Sequence, residues 1–203
     1  MSKTMSKIFD NHIPFEKFQN WFNQAKSRQD IIEPTAMCLA TVGKDGKPSS
    51  RMILLKKYDE KGFCFFTNLT SRKGGELAIN KNVALCFYWG ALGKQIRIEG
   101  KVEEVTAKEA DDYFASRRRE SQIGAWASKQ SHEMNEWSDF EKRIDEVTKD
   151  FSDATIPRPP FWSGFRVEPQ MIEFWQEGEF RIHKREIYGK LANDSWQMKV
   201  FYP

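Results

Sequence analysis

The stretch FWQEGEFRIHKR, residues 174–185, has the pattern of a β-hairpin near the C-terminal end of the chain. Glu177-Gly178 supplies its turn, because glycine readily adopts a positive φ. In the strand predicted after the turn, side chains alternate between two faces, so Arg181, His183 and Arg185 share one face. Three potentially cationic groups in a row favour an anionic or electron-rich ligand against that face. The alternative is a solvated edge strand that is protected by its charge.

The rest of the chain contains enough strand patterns to build a sheet around this hairpin. Apolar or alternating runs predict strands at 36–42, 49–56, 63–67, 83–89, 95–105, 165–167, 171–176, 180–184 and 196–201. A turn at Asp45-Gly46 joins the first two, and a meander of hairpin-linked strands favours an antiparallel sheet or barrel. Apolar residues at helical spacing predict an N-terminal helix at about 14–30 and a helical insertion at about 107–151. We therefore expect one domain over residues 1–203, mainly β with flanking helices, an α+β fold.

The composition argues against two classes of partner. An apolar fraction of 39% with 16 Phe is sufficient for a packed core, and a net charge of only +3 argues against a nucleic-acid module. Apolar runs stay far short of the ~20 residues that a membrane span needs. The N-terminal residues MSKTMSKIFDNHIPF lack the apolar centre of a signal peptide. We therefore expect a cytoplasmic protein without a nucleic-acid or membrane partner.

The cysteines and histidines give little support for a metal site. The chain has an odd number of cysteines, and they are widely spaced in apolar runs: Cys38, Cys64 and Cys86. This pattern is typical of reduced core thiols. The sequence has no CxxC or HExxH motif, and its three histidines include His12 and His132, which stand alone. We therefore expect no metal site built by the protein.

The segment TSRKGGE, residues 70–76, begins a short predicted helix that runs to about Asn80, with Ser71 as its N-cap. Arg72 and Lys73 then lie in the first turn, where the helix dipole disfavours cations. A bound phosphate would reverse that effect, because free N–H groups and two cations would converge on it. The pattern thus favours a phosphate site, with a chance placement of two cations as the alternative.

A second group of polar residues follows a predicted capping box at Thr106 and Glu109. Tyr113, Arg117 and Ser121 recur every four residues, so they line one face if the helix continues that far. A phenol, a guanidinium and a hydroxyl on one face suit the oxygens of a phosphate. The alternative is a solvated arginine-rich face, since residues 117–119 are all arginine.

Long motifs in this chain resemble the pyridoxamine 5'-phosphate oxidase family, also called pyridoxine 5'-phosphate oxidase. They are RMILLK (51–56), FFTNLTSRKG (65–74), KQIRIEGKVE (94–103), YFASRRRESQIGAWASKQS (113–131), PRPPFWSGFRV (157–167) and IEFWQEGEFRIHKR (172–185). The resemblance runs from about Pro34 to Arg185, with a weaker tail to Pro203. It implies an antiparallel FMN-binding split β-barrel and a homodimer with each FMN at the subunit interface.

The resemblance also implies a residue-level site. The residues carried over for FMN are Arg51, Met52, Ile53, Leu54, Leu55, Lys56, Phe66, Thr67, Arg72, Lys73, Gln95, Gln130, Ser131, Trp175 and Arg185. Those carried over for the substrate are Lys56, Tyr113, Arg117, Ser121, Arg181 and His183. Arg181 and His183 are the residues implied for catalysis. The implied reaction oxidises pyridoxamine 5'-phosphate or pyridoxine 5'-phosphate to pyridoxal 5'-phosphate, with oxygen as acceptor and hydrogen peroxide as second product.

The chain departs from the family pattern at three places, one of which is its C-terminal end WQMKVFYP (196–203), where the family more commonly has Arg-Leu before the last Pro. Phe66 stands where the family usually has Tyr, and the N-terminal segment MSKTMSKIFDNH does not match the Arg- and Tyr-bearing segment that folds over the site in other members. Three other functions remain as alternatives: a split-barrel flavoprotein of other specificity, such as a flavin reductase-like or haem-handling one, a non-catalytic binder of pyridoxal 5'-phosphate, and a basic nucleic-acid module. The last would bind with an affinity that falls steeply with salt.

Overall fold

The computed structural model describes residues 7–9 and 13–203. His12 and most of the divergent N-terminal segment, residues 1–6 and 10–12, lie outside the described residues. The helices are α1 (Ile13–Lys26), α2 (Arg72–Ile79), α3 (Ala107–Ala115), α4 (Arg119–Ala127) and α5 (Trp137–Phe151). The strands are β1 (Lys7–Phe9), β2 (Ala36–Val42), β3 (Pro48–Leu54), β4 (Lys57–Asp59), β5 (Gly62–Asn68), β6 (Asn82–Trp89), β7 (Lys94–Glu104), β8 (Trp162–Gln176), β9 (Lys184–Lys190) and β10 (Trp196–Phe201).

The strands form one antiparallel sheet that divides at β8. Along the main path the order is β1-β10-β9-β8-β7-β6-β2-β3. The first part of β8, from Trp162 to Val167, pairs with β5, while Met171 to Gln176 pairs with β9. One long strand therefore belongs to two diverging parts of the sheet. The arrangement confirms the expected antiparallel, mainly β fold with flanking helices.

Helix α1 closes one face of the sheet with aromatic side chains. Phe18 is fully buried, and its ring meets Phe63 at 4.8 Å and Phe87 at 5.4 Å between centroids, both edge to face. Trp21 meets Phe174 in the same way at 5.3 Å. Each fully buried aromatic ring contributes roughly 1.5–3 kcal/mol through the hydrophobic effect. This core fixes the strands from which the polar residues project.

Two predicted helix starts are confirmed by their caps. The Ser71 hydroxyl accepts a hydrogen bond from the backbone N–H of Gly74, and it is the N-cap of α2. Thr106 and Glu109 form the complete capping box at the start of α3. The first cap stabilises the end of α2 that carries Arg72 and Lys73, and the second stabilises the start of the helix that carries Tyr113 near its C-terminal end.

The hairpin prediction is correct in its pairing and wrong in its turn. Strands β8 and β9 pair, with Trp175 opposite Arg185, but β9 begins only at Lys184 and residues 179–181 form a 3₁₀ turn. Gly178 has a φ of −130°, whereas Phe180 and Arg181 have positive φ values of 54° and 65°. A Cβ on Gly178 would lie 2.0 Å from the carbonyl oxygen of Ile182, so glycine is needed there for close approach.

One other prediction needs correction. The two strands expected at 165–167 and 171–176 are one continuous strand, β8. Within the helical insertion expected at about 107–151, the structure has three separate helices, α3, α4 and α5.

The cysteines all lie within the described residues and carry free thiols. Cys64 is buried, as predicted for a core thiol, whereas Cys38 and Cys86 are only half-buried and are not core residues. In the described part of the chain, no group of His, Cys, Asp or Glu side chains is arranged to hold a metal ion. None of the helices described is both long enough and apolar enough to cross a membrane.

Candidate active site

A cavity of about 830 Å³ opens between β3, β5, the start of α2 and the α3–α4 pair. Its volume falls in the range of small-molecule sites, roughly 300–1,000 Å³. Twelve of the predicted site residues line it: Arg51, Met52, Ile53, Leu54, Lys56, Phe66, Thr67, Lys73, Tyr113, Arg117, Ser121 and Gln130. Five of the lining residues are cationic. None of the described residues that line the cavity is acidic. Such a cavity attracts anions.

Lys73 is held at the α2 end of this cavity by two neutral oxygens. Its Nζ donates to Gln130 Oε1 at 2.7 Å and to Thr67 Oγ1 at 3.0 Å. Burial, together with the nearby charge of Arg51, lowers the pKa of Lys73 below its usual value. Because neither partner is charged, the ammonium group retains its full charge for an anionic ligand.

Glu76 organises two arginines beside the cavity. Its carboxylate, only 8% exposed, accepts hydrogen bonds from Thr41, Ser49, Arg51 and Arg72. The shortest is 2.5 Å from Thr41 Oγ1, and the Arg72 contact is 2.9 Å. Burial alone would raise the pKa of this carboxyl, but these hydrogen bonds outweigh it and hold the pKa at about 2. Glu76 is therefore ionised at neutral pH and fixes Arg51 next to Lys73.

An aromatic stack forms the wall at the other end of the cavity. The rings of Phe66 and Tyr113 stack with centroids 4.0 Å apart, and the nearly parallel ring of Trp162 lies 5.3 Å from Phe66 and 6.1 Å from Tyr113. The guanidinium of Arg117 lies 5.1 Å from the centroid of Trp162 and 5.6 Å from that of Phe114. These cation–π contacts hold the arginine without neutralising it.

Arg117 has a buried donor that is left unpaired. Its Nη1 atom has no hydrogen-bond partner within the described part of the chain. Burial lowers the pKa of Arg117, and the adjacent Tyr113 partly opposes that effect. A buried charged donor that has no partner destabilises the fold by on the order of several kcal/mol, because no hydrogen bond replaces its lost hydration. A bound anion would remove that cost.

The predicted stripe of Tyr113, Arg117 and Ser121 does not lie on one helix. α3 ends at Ala115, and the chain turns through 116–118 before α4 begins at Arg119. The three side chains nevertheless line the same cavity, because the turn brings the start of α4 back beside the end of α3. The prediction of one face was wrong, and the prediction of a shared location is consistent with the structure.

A second group of predicted residues lies elsewhere on the sheet. Gln95, Trp175 and Arg185 are directly opposite one another on β7, β8 and β9. Arg185 donates to the buried carboxylate of Glu173 at 2.6 Å, and the same carboxylate accepts from Arg97 at 3.0 Å. Strand β9 is five strands from β3 in the sheet order, roughly 24 Å along the sheet. None of these residues lines the cavity described above.

His183 and Arg181 belong to this second group. The imidazole of His183 packs on Trp175 with ring centroids 4.6 Å apart. The backbone N–H of Gly178 donates to His183 Nδ1 at 3.3 Å, so Nε2 carries the proton in the neutral ring. Arg181 is exposed on the 3₁₀ turn, next to Phe180, which is 90% exposed. Of the two side chains implied for catalysis, Arg181 is thus exposed, whereas His183 is half-buried against Trp175.

Three predicted residues belong to neither of these two groups. The Leu55 side chain is buried in the core, Arg72 is 66% exposed outside the cavity lining, and Ser131 is exposed with a φ of 70°. Sequence reasoning in turn missed Glu76, Arg118, Phe140 and Trp162. Arg118, Phe140 and Trp162 line the cavity. The only available signal was that Glu76 follows Arg72 by four residues, the spacing of an ion pair on a helix.

Comparisons with known proteins identify relatives of this chain along most of its length. A family profile described as "Pyridoxamine 5'-phosphate oxidase" matches residues 24–149, and one described as "Pyridoxine 5'-phosphate oxidase C-terminal dimerisation region" matches 162–203. The chain is 50% identical over 194 residues to a pyridoxine/pyridoxamine 5'-phosphate oxidase of Ehrlichia chaffeensis, covering 94% of this chain and 98% of that one. A relative of the same name in Gluconobacter oxydans is 50% identical over 190 residues, covering 94% of each.

Solved structures show the same fold. PhzG from Burkholderia lata, determined in complex with tetrahydrophenazine-1-carboxylic acid, superposes with a TM-score of 0.88 at 32% identity, covering 94% of this chain and 92% of that one. An FMN-binding protein of Nostoc punctiforme, related to pyridoxamine 5'-phosphate oxidase, superposes with a TM-score of 0.75 at 15% identity, covering 94% and 98%. At that identity the second likeness concerns the fold alone.

Proposed function

This chain belongs to the pyridoxine/pyridoxamine 5'-phosphate oxidase family of oxidoreductases, and we propose that it oxidises pyridoxamine 5'-phosphate and pyridoxine 5'-phosphate to pyridoxal 5'-phosphate with FMN as cofactor. Oxygen is the electron acceptor, and hydrogen peroxide is released. The observation that carries the proposal is the cationic cavity, in which a buried Arg117 donor is unpaired. Cofactor and substrate in this reaction each present a phosphate to a protein site.

The residues present fit two phosphates at opposite ends of one cavity. At the α2 end, Lys73, Arg51 and the adjacent Arg72 lie near the first turn of a helix, which suits the phosphate of FMN. At the aromatic end, Arg117, Tyr113, Ser121 and Lys56 suit the phosphate of the substrate. Tyr113 also offers its ring face, through the stack with Phe66. The apolar side chains of β3 between the two ends suit flat rings.

A homodimer brings the second group of residues to this cavity. The family profile that covers residues 162–203 describes a dimerisation region, and Trp175, Arg181, His183 and Arg185 all lie within it. Their exposed neighbours Phe180 and Ile182, 90% and 71% exposed, suit burial against a second subunit. We propose that each active site combines the cavity of one subunit with the 175–185 segment of its partner.

The chemistry removes a hydride from the 4' carbon of the substrate and a proton from the nitrogen or oxygen bonded to that carbon. Bound FMN would supply the hydride acceptor and the route of the two electrons to oxygen. The grip of Arg117 and Lys56 on a phosphate that does not react orients the ring, which is an entropic contribution to rate. Oxidation of the amine substrate gives an imine, which water hydrolyses to the aldehyde and ammonia. Oxidation of the alcohol gives the aldehyde directly.

Arg181 and His183 act from the substrate side. Arg181 positions the substrate and assists removal of its proton. His183 offers its Nε2–H as a hydrogen-bond donor, and the stack on Trp175 sets the orientation of the ring. Gln95 and Arg185 lie on the cofactor side, where a strong donor or a cation favours reduced flavin.

One experiment tests the proposal in two steps. The absorption spectrum of the purified protein is expected to show bound flavin, and added pyridoxamine 5'-phosphate is expected to release peroxide and pyridoxal 5'-phosphate. Pyridoxamine without its phosphate is the control, since it cannot use Arg117. Flavin without turnover of either phosphate ester would favour a flavoprotein of other specificity. Tight binding of pyridoxal 5'-phosphate with no oxygen consumption would favour a non-catalytic binder.

A further inference from the structure

A carboxylate is buried on the outward face of β8, the face opposite the aromatic core. The Glu173 side chain is only 3% exposed, although its neighbours along the strand, Ile172 and Phe174, are the ones that point into the core. Arg97 on β7 lies directly opposite Glu173, and Arg185 on β9 lies one diagonal position away. The carboxylate therefore lies between two arginines from the two flanking strands.

Each oxygen of Glu173 is used by a different arginine. Oε1 accepts a hydrogen bond from Nε of Arg185 at 2.6 Å, and Oε2 accepts one from Nη1 of Arg97 at 3.0 Å. Arg185 also donates from Nη1 to the backbone carbonyl of Tyr202 at 3.2 Å. Two of the three guanidinium nitrogens of Arg185 are thus held by its own chain. The third, Nη2, has no partner within the described part of the chain.

Stability alone is a poor explanation for this arrangement. A buried carboxylate loses its hydration, and replacement of a buried ion pair by apolar side chains of similar volume is often neutral or stabilising. Glu173 instead adds direction. An arginine side chain is long and flexible, and hydrogen bonds to Nε and Nη1 leave the planar guanidinium of Arg185 with one orientation. The remaining nitrogen is then presented in a fixed direction.

We propose that Glu173 is a positioning residue for the cofactor: it directs the unpartnered Nη2 of Arg185 towards the flavin that is bound in the cavity of the other subunit. This inference rests on the proposed function, in which Arg185 lies on the cofactor side of a shared site. Arg97 holds the second oxygen of the carboxylate, so that Glu173 stays in place between the two strands.

The arrangement is compatible with burial of this face in the proposed dimer. The carboxylate is already enclosed by its own chain, so it needs no contact with solvent. A second subunit that covers the face would exclude water and strengthen both ion pairs electrostatically. Glu173 therefore acts in the assembled protein.

The cavity itself contains the same device. Glu76 is a buried carboxylate that holds Arg51 next to Lys73 at the other end of the proposed site. In both places, a carboxylate that lies outside the cavity lining fixes an arginine assigned to the cofactor. The two carboxylates would thus support the same ligand from different subunits.

Glu99 provides a matched control. It lies on the same face of the sheet, and it accepts from Nη2 of Arg97 at 2.8 Å. Its side chain is 50% exposed, and within the described residues it makes no hydrogen bond to Arg185. Loss of the Glu99 charge therefore perturbs the same arginine neighbour and leaves the Arg185 contact intact.

The test compares the FMN affinity of wild type, Glu173→Gln and Glu99→Gln. The flavin-loaded full-length protein is diluted in steps, and released FMN is measured by its fluorescence. Glutamine keeps the size of the side chain and one acceptor, but it removes the charge that holds two arginines. In Glu173→Gln the Kd for FMN is expected to rise about tenfold, the equivalent of one charged hydrogen bond. In Glu99→Gln it should stay close to that of wild type.

A second measurement separates positioning from general support of the fold. If Glu173 acts through Arg185, the effects of Glu173→Gln and Arg185→Ala on the Kd are not additive. In the Arg185→Ala background, Glu173→Gln should then change the Kd by less than about twofold. A residue that only supported the fold would multiply the Kd by the same factor in both backgrounds.

Several results would overturn the proposal. These are an equal Kd in wild type and Glu173→Gln, equal effects of Glu173→Gln and Glu99→Gln, or additive effects in the double variant. If Glu173→Gln does not fold, Arg185→Lys tests the same geometry, because lysine keeps the charge and loses the fork. An unchanged Kd in Arg185→Lys would refute the inference. A wild-type protein that binds no FMN would refute the proposed function and this inference with it, whereas flavin binding that is insensitive to Glu173 refutes this inference alone.

Discussion

Gly164 on β8 and Phe66 on β5 are register partners, and the phenyl ring lies directly against the glycine backbone. A Cβ atom built on Gly164 would lie 2.6 Å from both Cδ1 and Cε1 of that ring, and 3.0 Å from Val105 Cγ2. No methyl group fits there without moving the ring. Because Phe66 stacks on Tyr113 at 4.0 Å, the absence of a side chain at Gly164 sets the position of the Tyr113 phenol, which we propose contacts the substrate.

Gly164→Ala should therefore weaken substrate binding without touching the substrate itself. Overpacking of this kind costs ~1–3 kcal/mol of stability, and the displaced Tyr113 should raise KM for pyridoxamine 5'-phosphate several-fold at nearly constant kcat. Urea unfolding and steady-state kinetics measure the two effects. Gly189→Ala is the matched control, since it also lies in a strand but a Cβ there meets nothing within 4 Å. Equal effects from both variants would contradict the argument.

Arg117→Ala should mainly raise KM. The guanidinium would contact the phosphate in ground and transition states alike, so its loss removes uniform binding. A charged hydrogen bond of ~1.5–3 kcal/mol corresponds to a roughly 10- to 100-fold rise in KM. Arg119→Ala is the control, because Arg119 donates at 2.9 Å to the Ala154 carbonyl and does not line the cavity. It should lower stability and leave KM alone. A collapse of kcat in Arg117→Ala at constant KM would refute the assignment.

Arg181→Ala should lower kcat/KM substantially while FMN remains bound, since Arg181 is assigned to the substrate side. The shared site makes a sharper test possible. Arg117→Ala and Arg181→Ala subunits, when coexpressed, should form mixed dimers that contain one intact site. With random pairing, activity should recover to about a quarter of the wild-type value. If both residues serve the same subunit's site, no recovery will occur. Loss of flavin from Arg181→Ala would instead place Arg181 at the cofactor.

Glu76 should govern stability in mild acid. Its pKa is about 2 in the folded protein, against an ordinary value of 4.5. A lowered carboxyl pKa stabilises the fold fully above pH 4.5, and that contribution is lost as the pH falls towards 2. The contribution is about 3 kcal/mol at neutral pH. At pH 7, the free energy of unfolding of Glu76→Gln should be lower than that of wild type. Between pH 4.5 and pH 2 it should fall less than that of wild type. Glu120→Gln, an exposed carboxylate on α4, should keep the wild-type profile.

Much of the fold was predictable because burial on one face leaves an alternating pattern. Strands β2 and β10 begin and end where the sequence indicates, at Ala36–Val42 and Trp196–Phe201. The division of the helical insertion expected at about 107–151 into α3, α4 and α5 was not predicted, because neither Pro nor Gly marks the breaks at 116–118 and 128–136. The 177–183 loop was predicted wrongly because its course depends on the contact between Gly178 and the Ile182 carbonyl, which no local pattern encodes.

The site was predictable in its residue types and not in its arrangement. Lys73, Arg117 and Tyr113 stood out because cations and phenols recur at helix-related spacings. The division of the predicted residues into two groups depends on strand order, which places β9 five strands from β3. Glu76 and Trp162 act through contacts with arginines that are distant in sequence. Glu76 contacts Arg51, 25 residues earlier, and Trp162 contacts Arg117, 45 residues earlier. Such supporting residues become visible only when the chain is folded.

The long strand β8 links the two halves of the proposed site within each polypeptide. Trp162, under Arg117, is its first residue, and Trp175, beside Arg185, is its last but one. In a dimer with shared sites, these two tryptophans contribute to different flavin sites, although they lie on one strand and are separated by roughly 43 Å along it. Deleting a single residue midway along β8 would turn one of them to the opposite side of the sheet. One deletion in the sequence would then disrupt both proposed active sites of the dimer.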